Sequence, residues 1–155
     1  MIITLAPGPI PSSTRGNVFL PIVAAPPSDP VAEFVRLLTT DSRQQHPTLT
    51  YCPRLATAAT WRAHGLAHGQ PFSHTDSDGD GANVYARRAG CVLPATYSQR
   101  GNEIESLAAG TSDAAVIFGA LAGSAKHSAH LFGVGDFFRG QCCYGVAMCE
   151  NAESQ

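Results

Sequence analysis

Charged side chains are scarce in this chain of 155 residues: only 14% of the residues are charged, and the formal net charge is −2. Lysine occurs once, and no cluster of lysine and arginine is present. This excludes the electrostatic surface that binding to nucleic-acid phosphates requires. Apolar runs are short as well, and none approaches the roughly 18 residues of a transmembrane helix. Because 44% of the residues are nonetheless hydrophobic, the composition predicts one globular domain.

The chain has no Cys-x-x-Cys pair, and its cysteines and histidines do not follow zinc-finger spacing. Its five cysteines are Cys52, Cys91, Cys142, Cys143 and Cys149. This pattern favours disulfides, with buried free thiols as the alternative. Five is an odd number, so at least one thiol stays free or bonds another chain. The sequence alone does not fix the pairing.

The first 30 residues form a region of their own, because they hold seven of the eleven prolines. Proline at this density excludes helix. Two apolar patches within it, residues 2–5 and 18–23, are predicted to pair as edge strands. Neither has the basic start and long apolar core of a secretory leader. We therefore predict an extended N-terminal arm over residues 1–30, a globular domain over 31–150 and a tail over 151–155.

Periodicity within the domain predicts several helices and few strands. Asp29 and Pro30 begin a helix whose apolar residues recur at helical spacing. A second helix starts at Pro53 and stops before Gly69, and its inward face includes Arg62. Further helices are expected over residues 83–89, from Asp113 to 122, and after Ser124, with short strands over 104–107 and 144–148. The class is therefore α+β, or a three-layer α/β/α sandwich.

Three turn-rich segments carry imidazole or carboxylate side chains, which are the groups used in metal sites and acid/base pairs. They are Phe72-Ser73-His74, Gly101-Asn102-Glu103-Ile104 and Gly123 to His127. Each lies next to an apolar stretch that can anchor it, and the spacing means that they can meet only through the fold. No Gly-x-Ser-x-Gly nucleophile elbow is present. The two nearby aromatic residues, Trp61 and Phe72, are predicted to belong to the core.

In this order the segments resemble the CAP superfamily (cysteine-rich secretory, antigen 5, pathogenesis-related 1), in its bacterial branch. The resemblance covers about residues 31 to 149. It includes the "F-S-H…D-G" loop at 72–79, an "A-R-x-A-G" helix end at 86–90, a variant of "G-E-N-I" at 101–104, and "I-G-V-G" at 144–147. The segment from Ser124 to Leu131 is similar to "S-P-x-H-R-x-x-L". The collinearity of these motifs carries the assignment.

The resemblance implies an α-β-α sandwich with a cleft lined by two histidines and an acid. By position the histidines are His74 and His127. Where the family has Glu-Asn this chain has Asn102-Glu103, so Glu103 or Glu105 would supply the acid. The metal ligands implied for zinc or magnesium are then His74, His127 and Glu103.

The chain also stops soon after the "G-V-G" strand, where family members continue into a further strand. An unpaired sheet edge would result. We expect residues 18–23 to fill that edge, either in their own subunit or by strand donation to a neighbour in an oligomer.

An acidic loop follows His74. Asp76, Asp78 and Asp80 match the opening of a calcium loop, although its twelfth position is Arg87 instead of glutamate. An EF-hand is thereby rejected, and the alternatives are a weaker calcium site or a solvated acidic turn. His64 and His68 are expected on a solvated face, with metal binding through their i, i+4 spacing as the alternative. His130, three residues after His127, is expected to be exposed, with a supporting role as the alternative.

Two functions follow from these observations. The first is a secreted or cell-surface binding or assembly module, which is not an enzyme and whose partner is itself, another extracellular protein or a small lipid. The second is a metal-dependent hydrolase in which His74, His127 and Glu103 hold a zinc- or magnesium-activated water. The reordered Asn102-Glu103, the low charge and the missing strand favour the first.

Overall fold

The computed structural model describes residues 1–7 and 29–150, which form the predicted mixed α+β fold. The helices and strands follow the chain as β1 (Ile2–Ala6), α1 (Pro30–Thr40), β2 (Thr50–Tyr51), α2 (Pro53–Ala67), α3 (Ala82–Arg88), β3 (Glu105–Leu107), α4 (Ala114–Gly123), α5 (Ala125–Phe132), α6 (Asp136–Arg139) and β4 (Cys143–Ala147). All five predicted helices are confirmed, whereas β2 and α6 were not anticipated. No helix within these ranges is long and apolar enough to cross a membrane.

Two aspartates begin helices where the sequence predicts them. The Asp29 carboxylate accepts a hydrogen bond from the backbone N–H of Val31 at 3.0 Å. Asp113 accepts from the N–H groups of Ala115 at 2.8 Å and Val116 at 3.1 Å. These bonds satisfy N–H groups that have no partner within the helix. Local capping chemistry therefore fixes where α1 and α4 begin.

The four strands form one mixed sheet in the order β2-β4-β1-β3. Strand β1 is antiparallel to both of its neighbours: Ile3 lies opposite Ser106 on β3 and opposite Val146 on β4. Strand β2 pairs with β4 in parallel. The expectation that residues 2–5 form an edge strand is therefore wrong, because β1 lies inside the sheet. Residues 18–23 lie outside the described residues.

Strand β1 occupies the interior because both of its faces are apolar or covered. All five of its residues are buried, as expected of a strand between two helical layers. Pro7 follows directly and has no N–H to continue the ladder. Strand β1 pairs with all five residues of β4, whereas β2 pairs with only Cys143 and Tyr144 on the other side.

Helices lie on both faces of the sheet. On one face, α1, α4 and α5 pack against the side chains of Ile3, Leu5 and Val146. On the other, α2 and α3 pack against Ala6 and Cys143, and a smaller cluster joins α2 to Ile2, Leu107 and Ala147. Strand β3 is an edge of the sheet, so residues from the helical layers on both faces can meet beyond it.

Helix α2 approaches β4 so closely that only glycine fits at position 145. A Cβ atom there would overlap the backbone of Leu55 and Ala56 in the first turn of α2. The side chain is thus excluded by backbone, which cannot move aside as a flexible side chain can. Gly145 therefore sets the distance between α2 and the sheet.

We expect Gly145→Ala to destabilise the fold by about 1–3 kcal/mol, because an overpacked contact must shift α2. Urea unfolding followed by circular dichroism measures the change. Gly119→Ala is the matched control, since Gly119 lies in α4 and an added methyl group meets open space. That change should stabilise by about 0.5–1 kcal/mol through helix propensity. Equal unfolding midpoints for both variants would contradict the close approach.

Candidate functional site

The loop after α2 presents His74 at the edge of the sheet. Its Nδ1 lies 3.2 Å from Oε1 of Glu105, the first residue of β3. The His74 side chain is 46% exposed, whereas that of Glu105 is fully buried. A carboxylate behind an imidazole fixes the orientation of the ring, as the partners of metal-bound and catalytic histidines do. The Nε2 atom of His74 is then the nitrogen available to a ligand.

A buried ion pair lies beneath this contact. Arg62 Nε is 3.0 Å from Glu105 Oε2, and the two side chains are 2% and 0% exposed. Burial by itself lowers the pKa of Arg62, but hydrogen bonding and charge from Glu105 outweigh it, so the net shift is upward and the guanidinium stays charged. A buried carboxylate needs such a partner, since burying an isolated charge is costly.

Arg62 also holds the histidine loop in place. Its Nη2 donates to the backbone carbonyl of Ser73 at 2.7 Å, directly before His74. One guanidinium therefore joins α2, the edge strand and the loop. The sequence placed Arg62 on the inward face of α2 without assigning it a role. A charged residue at an apolar position was the signal, because it predicts a buried partner.

His127 reaches the same region from the opposite helical layer. It lies on α5, and its Nδ1 is 3.1 Å from the Ser124 hydroxyl. Its pKa is lowered, first by partial burial and second by the charge of His74. The charge of His74 thus influences His127, although 53 residues separate the two histidines in the sequence. They lie on either side of β3.

His130 supports this arrangement from below, and the expectation that it is exposed is wrong. It is 4% exposed, and its Nδ1 lies 2.7 Å from the Ser106 hydroxyl on β3. Burial lowers its pKa to about 3, with smaller contributions from His46, His127 and His74. At neutral pH His130 is an uncharged link between α5 and the edge strand.

Glu103 is not the acid of the site. Its carboxylate accepts hydrogen bonds from the side chain of Asn83 and from the backbone N–H of Ser98, the latter at 3.2 Å. Glu103 lies before β3 begins, in a turn where the Asn102 side chain accepts from the Glu105 N–H at 2.9 Å. The alternation of side chains between the two faces of a strand therefore does not extend from Glu105 back to Glu103. Of the two glutamates offered by the sequence, Glu105 contacts His74.

In the acidic loop, the carboxylates of Asp76 and Asp80 bind other groups of the protein. Asp76 accepts from the Tyr85 hydroxyl at 2.5 Å and from the Asp80 N–H at 2.9 Å. Asp80 pairs with Arg88 at 2.9 Å and with Arg100 at 2.7 Å. The calcium hypothesis for Asp76, Asp78 and Asp80 finds no support, because two guanidinium groups supply the positive charge at Asp80. The backbone of residues 76–80 is a turn closed by its own hydrogen bonds.

Two aromatic residues predicted for the core are exposed. Trp61 is 46% exposed on α2, and Phe72 is 63% exposed in the histidine loop. Helix α2 directs Arg62 inward, so its neighbour Trp61 is turned outward. Phe72 borders an open hollow of about 490 Å³, whose other lining residues include Ala63, Leu66 and Met148. Exposed aromatic residues are typical of recognition surfaces.

The structure shows no disulfide among the five cysteines, all of which lie within its described residues. Cys143 is buried, Cys149 is exposed, and the remaining three are half-buried. His64 and His68 are exposed as expected, with their rings stacked at 3.9 Å. No group of three or more His, Cys, Asp or Glu side chains within residues 1–7 and 29–150 is arranged to hold a metal ion.

Comparisons with known proteins leave the chain without an assigned family. No protein-family model matches it, and neither a curated protein nor a solved structure is significantly similar to it.

Removing either member of the buried pair should destabilise the protein by about 3–5 kcal/mol, because the other charge is left buried and unpaired. We expect this for Arg62→Leu and for Glu105→Leu in urea unfolding. The double variant should lose less than the sum of the two single losses. The exposed pair of Arg36 and Glu33 provides the control, and Arg36→Leu should change stability little. Strict additivity at positions 62 and 105 would count against a direct pair.

Acid should destabilise the fold through His130. Because the pKa of His130 is about 3 in the folded state and 6.5 in the unfolded chain, the unfolded chain binds a proton between these pH values and the folded chain does not. Stability from this group is therefore present above pH 6.5 and falls by roughly 2–3 kcal/mol between pH 7 and pH 4.5. Thermal melting across this range should show a smaller decline in His130→Asn. A parallel decline in His130→Asn and the parent would exclude this cause, and His68→Asn controls for an exposed histidine.

Proposed function

We propose that this chain is a CAP-like extracellular domain with the α-β-α sandwich of that family, and that it acts as a binding or assembly module. Helices on both faces of one sheet and the order of the motifs along the chain support this assignment. The electrostatic influence of His74 on His127 supports a shared cleft.

The observation that carries the proposal is the state of Glu105. Its carboxylate is fully buried, ion-paired to Arg62 and turned to Nδ1 of His74. It therefore positions an imidazole and has no free charge to offer a metal ion. This leaves the cleft with two imidazole Nε2 atoms as donors, whereas catalytic zinc sites generally use three protein ligands.

The alternative function, a metal-dependent hydrolase, does not fit these residues. It requires His74, His127 and Glu103 to converge, and Glu103 is directed to Asn83 and Ser98. Glu105 cannot replace it without giving up its buried partner. Donor count and donor charge both disfavour a resident zinc or magnesium ion.

The cleft is suited to a partner that combines a hydrogen-bonding group with an apolar side chain. His127 has a lowered pKa, so its ring is neutral at pH 7 and offers a hydrogen bond without a charge. Phe72 supplies exposed apolar area two residues from His74, beside the open hollow. Such a surface favours another extracellular protein or a second copy of this chain. A lipid would need a more enclosed apolar groove than this hollow provides.

If the module proposal is correct, the purified chain will retain no stoichiometric metal after incubation with zinc or magnesium and removal of the free ion. Elemental analysis per chain measures retention. Sedimentation at increasing protein concentration measures assembly, which Phe72→Ala should weaken without lowering the melting temperature. Phe72→Ala removes an exposed side chain, and Val92→Ala, 88% exposed elsewhere, is the control.

One bound metal per chain that is lost in both His74→Ala and His127→Ala would overturn the proposal in favour of the hydrolase. The exposed pair of His64 and His68 is a separate source of weak zinc binding, since i, i+4 histidines can share an ion. His68→Ala identifies that source. Zinc lost in His68→Ala and kept in His74→Ala leaves the module proposal standing.

A further inference from the structure

Four of the five cysteines gather on the α2–α3 side of the sheet. Cys52, Cys91, Cys142 and Cys143 all contribute to the apolar cluster that also contains Leu55. They come from three separate parts of the chain: the start of α2, the segment after α3 and the start of β4. This convergence was not evident from spacing, because the fold alone brings positions 52 and 91 together.

Backbone hydrogen bonds hold the two half-buried segments in place. The Cys52 N–H donates to the Tyr144 carbonyl at 2.8 Å, and the Cys91 N–H donates to the Ala86 carbonyl at 2.9 Å. Arg54, in the first turn of α2, donates to the Gly90 carbonyl at 2.7 Å. That bond joins the residue before Cys91 to the helix that follows Cys52. Both cysteines are therefore fixed close together by groups other than their thiols.

The two thiols are also neighbours, since both side chains pack against the same apolar cluster and Cys52 contributes to the raised pKa of Cys91. Each is half-buried and within reach of a small reagent, whereas Cys143 is buried and its thiol contacts Cys142. Burial, followed by the neighbouring Cys52, raises the pKa of Cys91 to about 11. Cys91 is thus mostly protonated at neutral pH, and its reaction is slow unless the pH is raised.

We propose that Cys52 and Cys91 form a disulfide on exposure to a small-molecule disulfide such as oxidised glutathione, and that this bond braces the segment carrying Arg62 and His74. A thiolate of one cysteine attacks the donor disulfide and releases one donor thiolate. The second cysteine, as thiolate, attacks the mixed disulfide and releases the other. Two electrons pass to the donor, which leaves as two thiols that carry the two protons.

The bond would close the chain between positions 52 and 91. This stretch contains α2, the histidine loop, the acidic turn and α3. A cross-link of this length stabilises chiefly by restricting the unfolded chain. It would also hold both ends of the segment that presents His74. The inference does not depend on the proposed binding function, because it concerns only the thiols and the fold.

The test equilibrates the full chain with oxidised and reduced glutathione at mildly alkaline pH, then blocks free thiols with an alkylating agent. Peptide mapping by mass spectrometry should find residue 52 linked to residue 91. The melting temperature of the oxidised parent should rise by roughly 10 °C over the reduced form. Cys149→Ser, at the exposed cysteine, should keep both results. Cys52→Ser and Cys91→Ser should lose both.

Mapping decides the outcome independently of stability. A bond from Cys91 to Cys142 or Cys143, a bond between Cys142 and Cys143 as the main product, or complete alkylation of all thiols after equilibration would each overturn the proposal. Because Cys52→Ser and Cys91→Ser replace half-buried thiols, their reduced forms should melt close to the reduced parent. A variant that fails to fold is replaced by the corresponding alanine variant, and the mapping of the parent still decides.

Discussion

The buried pair of Arg62 and Glu105 is the interaction on which the site depends. It joins a helix, the edge strand of the sheet and the loop that carries His74, through contacts of 3.0 Å to the carboxylate and 2.7 Å to the Ser73 carbonyl. Two charges taken out of water are costly unless they are well paired and hydrogen-bonded. Here the carboxylate also meets an imidazole. Stability and site geometry therefore share the same three side chains.

A second constraint is the position of β3 at the edge of the sheet. Residues on its two faces point into different helical layers: Glu105 toward Arg62 on α2, and Ser106 toward His130 on α5. An edge strand usually exposes unpaired backbone groups. In this fold the histidine loop and α5 approach it from opposite sides. The strand is short, and its consecutive residues Glu105 and Ser106 contact His74 and His130 from opposite faces.

The sequence was a good guide wherever local chemistry decides. The starts of α1 and α4 follow from aspartate caps, and the extent of α2 follows from Pro53 and Gly69. It was a poor guide where packing decides. Nothing local distinguishes an interior strand from an edge strand at residues 2–6, nor Glu103 from Glu105 before the start of β3 is known. The exposure of Trp61 and Phe72 and the burial of His130 likewise depend on which faces the tertiary structure covers.

The location of β1 has a consequence for how the protein is made. Its partners are residues 105–107 and 143–147, so the middle of the sheet joins segments that are far apart in the order of synthesis. During synthesis Ile2–Ala6 leaves the ribosome long before β4 does. This apolar segment therefore stays without its hydrogen-bonding partners until β4 emerges. Contacts of such high sequence separation slow folding. The interval between the release of β1 and that of β4 is therefore when a chaperone has most to protect.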